Sequence, residues 1–455
     1  MDAIAKEALI RKYNVPGPRY TSYPTVPYWD NDAFGLAKWE KLIVKKFSDD
    51  WQDISVYIHL PYCESLCTFC GCNTRITVNH TVEEAYIDTV LKEWSLYLSK
   101  MKVKPVIKEL HLGGGTPTFF DAYQLERLIL GITANVILDP KAELGFEGHP
   151  NNTTPLHLKT LYDLGFRRVS FGIQDFDPHV QHVINRVQSF DTVQKVTEEA
   201  RSIGYTSINF DILYGLPLQT LQSISHTIRK VKHLKPDRIA FYSYAHVPWI
   251  KPGQRKFTEL DLPDDEEKRS LYECGRRMLE KAGYLEIGMD HFALKTDALY
   301  KAFVEQKLHR NFMGYTTQQT EVLIGLGVSS ISDIGNAYAQ NVKTVEEYIS
   351  SVQAGTIPVF RGHVLTKEDL VLKQHILNIM CKQETSWYGT NESCMSLFRA
   401  LLNMRELEKD GLIKTDYFSL KVTPLGKMFI RNVCMALDAY LQSKEKKVVQ
   451  FSKVI

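Results

Sequence analysis

The sequence has no long hydrophobic run and almost no net charge. No stretch approaches the ~18 consecutive apolar residues that a transmembrane helix needs. The 55 basic and 53 acidic residues give a net charge of +2 at pH 7, so the overall charge favours neither nucleic acid nor an anionic membrane. Asp2, Lys6 and Glu7 place charges where a signal peptide would have its apolar region. We therefore expect a cytosolic protein that binds no nucleic acid and no membrane.

Cysteine is also scarce, but its distribution is uneven. The chain has eight cysteines, and four of them, Cys63, Cys67, Cys70 and Cys72, fall within ten residues. The first three form the spacing C-x3-C-x2-C, and Gly71 separates Cys70 from Cys72. Thiolates this close together on a short loop suit a compact polynuclear iron–sulfur cluster. Three protein ligands would leave one iron of a four-iron cluster open for a small molecule.

Three other interpretations of these cysteines are weaker. Structural zinc usually takes its ligands from two separated cysteine pairs, and no second pair is present. A disulfide framework needs an oxidising compartment, which nothing in the sequence supports. Buried packing cysteines are common, but four in ten residues are not. The spacing therefore favours a cluster, with Cys274, Cys381, Cys394 and Cys434 as ordinary packing residues.

From Asp53 onward the chain alternates apolar strand-like runs with amphipathic stretches of helical period, which is typical of a parallel sheet. The predicted strands are Ile54–His59, Ile107–Leu112, Glu143–Glu147, Arg168–Ile173, Ser207–Leu213 and Arg238–Tyr244. The predicted helices between them lie near 83–100, 121–134, 155–164, 189–203 and 219–232. Six such units with right-handed crossovers predict an α/β fold with a partly open TIM-type barrel, which the Gly-rich region Gly325–Gly335 would close.

Two further segments flank this predicted barrel, which we place at residues 36–341. Residues 1–35 form an N-terminal arm, in which Asn14–Tyr28 holds four prolines and is too aromatic for a solvated tether. Residues 342–455 form a mainly helical C-terminal domain with a hairpin-like stretch at Leu412–Val422. Its order loosely resembles a winged helix, but the neutral charge favours a lid or packing domain over a nucleic-acid reader.

The unusual residues fall at the ends of the predicted strands. The cysteines follow the first strand, Gly113-Gly114-Gly115-Thr116 follows the second, and Glu147 closes the third. The later strands bring Gln174, Asp211 and Ala245. In parallel α/β barrels the carboxyl ends of the strands line the active site. The glycines fit either a backbone that bonds a ligand carboxylate or a tight strand-to-helix turn.

The residues around the cysteines identify a more specific resemblance. L-P-Y-C-E-S-L-C-T-F-C-G-C-N, with its C-x-C ending, closely resembles the oxygen-independent coproporphyrinogen III oxidases of the radical S-adenosylmethionine superfamily. The same resemblance covers Lys12–Thr25, His111–Thr118, Phe171–Phe176, Asn209–Pro217, Gly288–Ala293, His309–Thr317 and the terminal Q-F-S-K-V-I. It therefore extends over nearly the whole chain and implies the barrel fold of that superfamily.

The resemblance implies one 4Fe-4S cluster and two molecules of S-adenosylmethionine. It assigns the cluster to Cys63, Cys67 and Cys70. The first S-adenosylmethionine site maps onto Tyr57, Gly114 and Glu147, and the second maps onto Phe69, Gly115, Thr116, Gln174, Arg186, Asp211, Ala245 and Ile331. Glu147 can hold a cationic sulfonium or amino group, Asp211 can accept from ribose hydroxyls, and Arg186 suits a carboxylate. Without the resemblance, structural roles would be the better interpretation of these three residues, namely a capping acid for Glu147, a strand-end acid for Asp211 and a surface ion pair for Arg186.

The resemblance also implies a reaction. The reduced cluster gives one electron to S-adenosylmethionine, and the resulting 5′-deoxyadenosyl radical takes a β-hydrogen from a propionate of coproporphyrinogen III. Loss of carbon dioxide and one further electron leaves a vinyl group, and two rounds give protoporphyrinogen IX. The expected partner is a low-potential one-electron donor of the flavodoxin or ferredoxin type, and the expected oligomeric state is a monomer.

Cys72 and Glu147 are the predicted catalytic residues. We expect Cys72 not to bind the cluster, because a fourth thiolate would occupy the open iron and because its side chain would face away from that of Cys70. Two positions depart from the family pattern, namely Met313, where glutamine is frequent, and His149, where aspartate or asparagine is frequent.

Two other functions are compatible with the cysteine spacing. A haem-carrier relative would keep the radical motif but would lack the C-x-C ending and the P-R-Y-T-S-Y-P arm, both of which are present. A radical methyltransferase acting on porphyrins or RNA is disfavoured by the near-neutral charge and by the extent of the resemblance.

Overall fold

The computed structural model describes residues 3–32, 34–48, 53–389, 392–443 and 451. Its strands are β1 (Asp53–Leu60), β2 (Tyr62–Cys63), β3 (Arg75–Ile76), β4 (Val106–Gly114), β5 (Ile137–Gly148), β6 (Arg168–Gln174), β7 (Ser207–Tyr214), β8 (Arg238–Ser243), β9 (Leu285–Gly288), β10 (His291–Ala293), β11 (His309–Asn311), β12 (Gly314–Thr316), β13 (Val322–Leu326), β14 (Ile331–Asp333), β15 (Ala337–Asn341), β16 (Val359–Val364), β17 (Glu384–Ser386), β18 (Ile413–Thr415) and β19 (Ser419–Val422).

The helices alternate with the strands in the first half of the chain and dominate its end. They are α1 (Ala3–Tyr13), α2 (Leu36–Lys46), α3 (Val82–Leu98), α4 (Ala122–Thr133), α5 (Pro155–Asp163), α6 (Pro178–Val183), α7 (Phe190–Ile203), α8 (Leu221–Leu234), α9 (Asp265–Lys281), α10 (Ala298–Val304), α11 (Val345–Gln353), α12 (Lys367–Lys382), α13 (Met395–Asn403), α14 (Arg405–Lys409), α15 (Ile430–Leu437) and α16 (Ala439–Gln442). In the described part of the chain, no helix is long and apolar enough to cross a membrane.

A twelve-stranded sheet forms the centre of the molecule, in the order β16-β15-β14-β13-β1-β4-β5-β6-β7-β8-β10-β9. Its seven middle strands, from β13 to β8, are parallel. In β1, six of eight residues are buried, because helices cover the outer face while the inner face is filled by side chains. The six predicted strands and the five predicted helices between them are confirmed.

The predicted closing segment adds the parallel strand β13 beside β1, with Tyr57 opposite Gly325 in the register. Gly325 is required at this position, because a Cβ there would lie 2.5 Å from the carbonyl oxygen of Ile331. Within the described residues the edge strands β16 and β9 do not pair with each other. The barrel is therefore partial, as predicted.

The C-terminal elements build a second hydrophobic core around α12, α13 and α15. The predicted hairpin is present as antiparallel β18 and β19, and β17 adds a third strand that the sequence did not reveal. The last two helices, α15 and α16, are separated at Asp438, whose carboxylate caps α16. Strands β15 and β16 belong to the large sheet, which therefore extends to residue 364. The domain boundary that we placed at 341/342 stays a prediction.

The N-terminal arm packs against both cores. Tyr20 and Tyr23 are buried in the C-terminal core, where the Tyr20 hydroxyl donates to Asp438 at 3.0 Å. Trp29 is buried on the barrel side and stacks on Tyr338 with ring centres 5.3 Å apart. The arm is therefore an integral part of the fold, and its aromatic content reflects this burial.

Candidate functional site

The loop that carries the four clustered cysteines is fixed at both of its ends. Strand β2 pairs with β3 in parallel, with Cys63 opposite Ile76 in the register. Beneath the loop, the backbone N–H of Gly115 donates to Leu60 at 2.8 Å and that of Thr116 donates to Tyr62 at 3.0 Å. A Cβ on Gly115 would lie 2.5 Å from the carbonyl oxygen of Pro61. The glycine run therefore allows the second strand's end to approach the loop closely.

A cavity of about 1020 Å³ opens at the carboxyl ends of the parallel strands. It brings together most of the residues that the sequence predicted for the site. Those that line it are Cys63, Cys67, Phe69, Cys70, Cys72, Gly114, Gly115, Thr116, Glu147, Gln174, Arg186, Asp211 and Ala245. Tyr57 and Ile331 do not border it.

The three cysteines of the C-x3-C-x2-C spacing have different surroundings. The Cys63 thiol lies 3.3 Å from the hydroxyl of Thr116, and burial raises its pKa to about 11. The Cys67 thiol accepts from Nη1 of Arg186 at 3.5 Å. A hydrogen bond from the Cys72 thiol, with help from the charges of Lys251 and Arg186, lowers the pKa of Cys70 to about 6. The loop thus already favours one thiolate and places a cation beside another.

The structure corrects one prediction about Cys72. The thiols of Cys70 and Cys72 contact each other, whereas we expected them to face opposite sides. That expectation was wrong because residues two apart in an extended segment share a face. Cys72 is exposed on the cavity wall. Its exclusion from the ligand set stays a prediction, and it now depends only on the need for an open iron position.

The donor set fits a polynuclear cluster. In the described part of the chain, no three His, Cys, Asp or Glu side chains are gathered where they could hold a metal ion as they stand. A cluster asks for a different arrangement, because its cysteine ligands bind different irons. Three thiols on one cavity wall, with the Arg186 guanidinium to offset their negative charge, meet that need.

Glu147 closes one wall of the cavity at the end of β5. Its carboxylate accepts from the backbone N–H of Gly114 at 3.3 Å and lies 3.5 Å from Nε2 of His111. Tyr57 stands behind this wall, since a Cβ on Gly113 would lie 2.9 Å from the Tyr57 ring and 3.0 Å from the Glu147 carboxylate. The three residues predicted for the first S-adenosylmethionine site therefore meet at one point, although Tyr57 is screened from the cavity itself.

Asp211 faces the same cavity from β7. Its two carboxylate oxygens accept from the hydroxyl of Ser170 at 3.0 Å and from Nδ2 of Asn209 at 2.9 Å. Burial, followed by the charge of Glu147, raises the pKa of Asp211 to about 6. A carboxylate held this way is ready to accept a ligand cation or hydroxyl, because binding would offset the repulsion that raises its pKa.

Arg186 and Gln174 are fixed by the backbone at the end of β6. Nη2 of Arg186 donates to the carbonyl of Gly172 at 2.6 Å, and Gln174 has a φ of 66°, a conformation that is uncommon for a residue with a side chain. Both side chains border the cavity. The end of β6 therefore holds the Arg186 and Gln174 side chains at the cavity. Among the described residues, Arg186 forms no ion pair with a carboxylate.

One residue of the cavity wall that the sequence did not reveal is Gln254. Its buried side-chain amide donates to the carbonyl of Phe69 at 3.1 Å and to that of Ala245 at 3.3 Å, and so ties the cysteine loop to the end of β8. It lies in a polar loop with no motif, so no pattern singled it out. Ile331, by contrast, packs beside Trp29 and Tyr338, and its predicted role stays a prediction.

The opposite end of the cavity is lined by residues that were not predicted for the site from the sequence. Arg19 from the arm, Tyr242, His291 and Tyr315 border it. The two departures from the family pattern lie on its wall as well, namely Met313 and His149. Burial, followed by the charge of Arg186, lowers the pKa of His149 to about 3, so this histidine is neutral at physiological pH.

Comparison with known proteins gives a consistent result. The family model of the Radical SAM superfamily matches residues 57–231. The oxygen-independent coproporphyrinogen III oxidase of Escherichia coli is 38% identical over 454 residues, with 98% of each chain covered. That of Helicobacter pylori is 39% identical over 456 residues, again with 98% of each chain covered. The solved structure of coproporphyrinogen III oxidase from Escherichia coli, a radical SAM enzyme, superposes with a TM-score of 0.89 at 36% identity and covers 96% of this chain and 99% of that chain.

These relatives imply the same kind of cofactors as the residues that line the cavity. Membership of the superfamily implies a 4Fe-4S cluster and S-adenosylmethionine as cofactors. The similarity extends over the arm, the barrel and the C-terminal elements alike. The chain therefore belongs to the oxygen-independent coproporphyrinogen III oxidases of the Radical SAM superfamily.

Proposed function

We propose that this chain converts two propionate side chains of coproporphyrinogen III into vinyl groups without oxygen, giving protoporphyrinogen IX in haem biosynthesis. The observation that carries the proposal is the single cavity that unites the cysteine loop, the glycine run after β4 and the carboxylates of Glu147 and Asp211. The full-length similarity to oxygen-independent coproporphyrinogen III oxidases supports the choice of substrate.

The loop residues Cys63, Cys67 and Cys70 are the proposed ligands of a 4Fe-4S cluster. Their thiols share one cavity wall, and Arg186 stands beside Cys67. The chemistry that the bound cofactors supply is the one-electron cleavage of S-adenosylmethionine to methionine and a 5′-deoxyadenosyl radical, which takes a β-hydrogen from the substrate. The chain holds the reacting groups in position and excludes water.

The first S-adenosylmethionine molecule is proposed to bind at Tyr57, Gly114 and Glu147. Glu147 is half-exposed, so its carboxylate can hold the positive charge of the sulfonium or amino group by a charge-assisted bond. Gly114 has a φ of 117°, and its N–H donates to the Glu147 carboxylate. Glu147 acts here as a binding and orienting residue as well as a proposed catalytic one.

A second S-adenosylmethionine molecule per chain is proposed on the opposite side of the loop. Its residues are Phe69, Gly115, Thr116, Gln174, Arg186, Asp211, Ala245 and Ile331. In support, Asp211 offers an acceptor for ribose hydroxyls and Arg186 a planar donor for a carboxylate. Cys72, exposed on the cavity wall, is the proposed second catalytic residue.

The proposal also covers the electron donor, the location, the oligomeric state and the roles of the three segments of the chain. A flavodoxin- or ferredoxin-type protein would supply electrons, and the enzyme would work as a cytoplasmic monomer. Residues 1–35, 36–341 and 342–455 would serve as arm, catalytic barrel and packing domain. The near-neutral charge gives the C-terminal domain no support as a nucleic-acid reader.

The test is anaerobic incubation of the reconstituted protein with coproporphyrinogen III, S-adenosylmethionine and dithionite, followed by oxidation and chromatography of the porphyrins. The proposal expects protoporphyrin IX, formed only when S-adenosylmethionine is present. A methylated porphyrin would identify a methyltransferase instead. Tight binding of haem with no decarboxylation would identify a haem carrier, and either result would overturn the proposal.

A further inference from the structure

The end of the cavity beneath the N-terminal arm has walls made mainly of rings. We call it the arm end and define it by Arg19, Tyr242, His291 and Tyr315. The His291 ring lies edge-on to Tyr242 and Tyr315, with ring centres 5.5 Å and 5.2 Å apart. Arg19 extends over this wall, with its guanidinium carbon 5.7 Å from the centre of the Tyr242 ring. The arm end thus offers an apolar surface with a cation at its border.

A second cation lies directly behind this wall. Arg310 is only 7% exposed, its Nη2 donates to the main-chain oxygen of Arg19 at 3.3 Å, and its guanidinium lies 4.5 Å from the centre of the Tyr315 ring. Its Nε and Nη1 are buried and have no hydrogen-bond partner. Among the residues that the structure describes, no carboxylate lies within 4.0 Å of it. A buried cation without a counter-charge is unfavourable, and the ring compensates only part of that cost.

The charges at the arm end therefore do not balance. Arg19 forms one ion pair, with Asp290 at 3.1 Å, and the charges of both residues also act on the buried guanidinium of Arg431. Arg19 is also one-third exposed, so its side chain can exchange partners without unfolding its surroundings. Three guanidiniums, those of Arg19, Arg310 and Arg431, therefore lie around Asp290, so an incoming anion would be attracted here.

Each of the other arginines on the cavity wall has a partner for its positive charge. Nε of Arg168 lies 3.1 Å from Glu143, and Nε of Arg238 lies 2.7 Å from the buried carboxylate of Asp297. Arg186 faces the thiol of Cys67. In the proposed function Arg186 is already assigned to the carboxylate of a cofactor, so the arm end is where a carboxylate of the substrate would find a positive charge.

We infer that Arg19, supported by the buried Arg310, binds a propionate carboxylate of the substrate. This inference rests on the proposed function, because it takes a porphyrinogen with four carboxylates as the ligand. The substrate carboxylate would replace Asp290 as the partner of Arg19 and supply the counter-charge that Arg310 lacks. The rings of Tyr242, His291 and Tyr315 would contact the apolar edge of the macrocycle. The arm end would then select substrates by their carboxylates, at a distance from the cysteine loop.

The test compares Arg19→Gln and Arg310→Gln with wild type and with Arg127→Gln, which alters a surface arginine that pairs with Asp88 on the outside of the barrel. The probe is coproporphyrin III, the unreactive oxidised tetracarboxylate, titrated by fluorescence at low and high salt. Of these two cavity variants, Arg19→Gln loses a charged hydrogen bond and should raise the Kd about tenfold, whereas Arg310→Gln loses a charge behind the wall and should raise the Kd less. The salt dependence of binding should become flatter, while Arg127→Gln should match wild type. Arg19→Lys, which keeps the charge, should recover part of the affinity.

Several results would overturn the inference. An unchanged Kd in both cavity variants would do so, and so would an Arg19→Lys variant as weak as Arg19→Gln, because packing rather than charge would then be responsible. If the Arg310→Gln protein loses iron, the substitution has disturbed the fold, and the Arg19 variants alone then test the inference. A carboxylate of S-adenosylmethionine is the other possible ligand of this chemistry, so a loss of S-adenosylmethionine affinity in Arg19→Gln with unchanged porphyrin binding would assign the site to that cofactor. A wild-type enzyme that releases no carbon dioxide would contradict the proposed function, whereas normal turnover with unchanged variants would contradict only the carboxylate site.

Discussion

The two ends of the cavity are assembled in different ways. The cysteine end comes from two short segments, residues 62–76 and 113–116, joined by backbone hydrogen bonds from Gly115 and Thr116. The arm end gathers Arg19, Tyr242, His291, Arg310 and Tyr315 from segments that are far apart in the chain. The cysteine end therefore depends on close approach of the backbone, so that one added methyl group should have a large effect on ligand binding. The arm end depends on charge and on the packing of aromatic rings, so substitutions there should weaken substrate binding by moderate amounts.

The largest expected effect lies at the cysteine end. Cys63→Ser, Cys67→Ser and Cys70→Ser should each abolish the broad visible absorbance of the anaerobically reconstituted cluster, together with all turnover, because a serine hydroxyl is a poor substitute for a thiolate. Absorption spectra and iron content measure this loss. Cys274→Ser is the matched control, since Cys274 contacts Ser225 away from the cavity. One loop variant with a full cluster and full turnover would refute the ligand assignment.

Cys72→Ser should separate cluster assembly from catalysis. We expect the variant to keep its iron content and the spectrum of a three-cysteine cluster, because three ligands remain, and to lose porphyrinogen turnover. Its thiol contacts that of Cys70, so a modest change in the spectrum is also expected. Iron loss on this substitution would make Cys72 a ligand, whereas full activity would make it a bystander.

The glycine run should be sensitive to a single added methyl group. In Gly115→Ala, the new Cβ would meet the carbonyl oxygen of Pro61 at 2.5 Å, so the loop has to shift. We expect S-adenosylmethionine affinity to fall about 100-fold, which corresponds to ~3 kcal/mol. Gly71→Ala is the control, because a Cβ there has no atom within 4 Å. Equal affinities in the two variants would show that close approach at Gly115 is unimportant.

The contrast between the two ends also explains what the sequence could reveal. The strands and helices of the barrel were predictable, because parallel strands covered on both sides are apolar throughout and the helices between them are amphipathic. The cysteine end was predictable because its residues are close together in the chain. Gln254 was not, since a buried amide in a polar loop has no characteristic spacing.

Other features depended on the tertiary structure. The unpartnered Nε and Nη1 of Arg310 become visible only when their surroundings are known, because an arginine in a sequence shows neither burial nor partners. The orientation of Cys72 was predicted wrongly although the information was local, because side chains two residues apart share a face in an extended segment. The arm was predicted to be more than a tether, but its two packing partners, Asp438 and Tyr338, lie more than 300 residues away.

A pH dependence should distinguish Asp211 from the arginines of the arm end. Its pKa is raised to about 6, so S-adenosylmethionine affinity should weaken by up to about tenfold per pH unit as the pH falls below 6 and the carboxylate loses its charge. The contribution to folding stability has the opposite sign. A raised pKa favours the protonated folded state, so this stability is present below about pH 4 and is lost as the pH rises through 6.

Asp211→Asn should remove this pH step from S-adenosylmethionine binding. Calorimetric titration between pH 5 and pH 8 measures it, with Arg19→Gln as the control that keeps the step. A step of the same size in Asp211→Asn would assign the titration to another group.

The smallest expected effect lies in the arm itself. Tyr20→Phe removes one hydrogen bond to Asp438, which keeps its bonds to the backbone of Tyr440 and Leu441. The free energy of unfolding should fall by about 1 kcal/mol, measured by denaturant titration, with turnover nearly unchanged. Loss of turnover as great as in Arg19→Gln would show that the arm acts through packing rather than through charge.

The measurement that tests the account most directly counts carbon dioxide. Coproporphyrinogen III labelled in its propionate carboxyl groups is incubated anaerobically with the reconstituted enzyme, S-adenosylmethionine and a one-electron reductant. The account predicts two labelled carbon dioxide molecules per porphyrinogen, none without S-adenosylmethionine and none from Cys67→Ser. Cleavage of S-adenosylmethionine with no labelled carbon dioxide would contradict it.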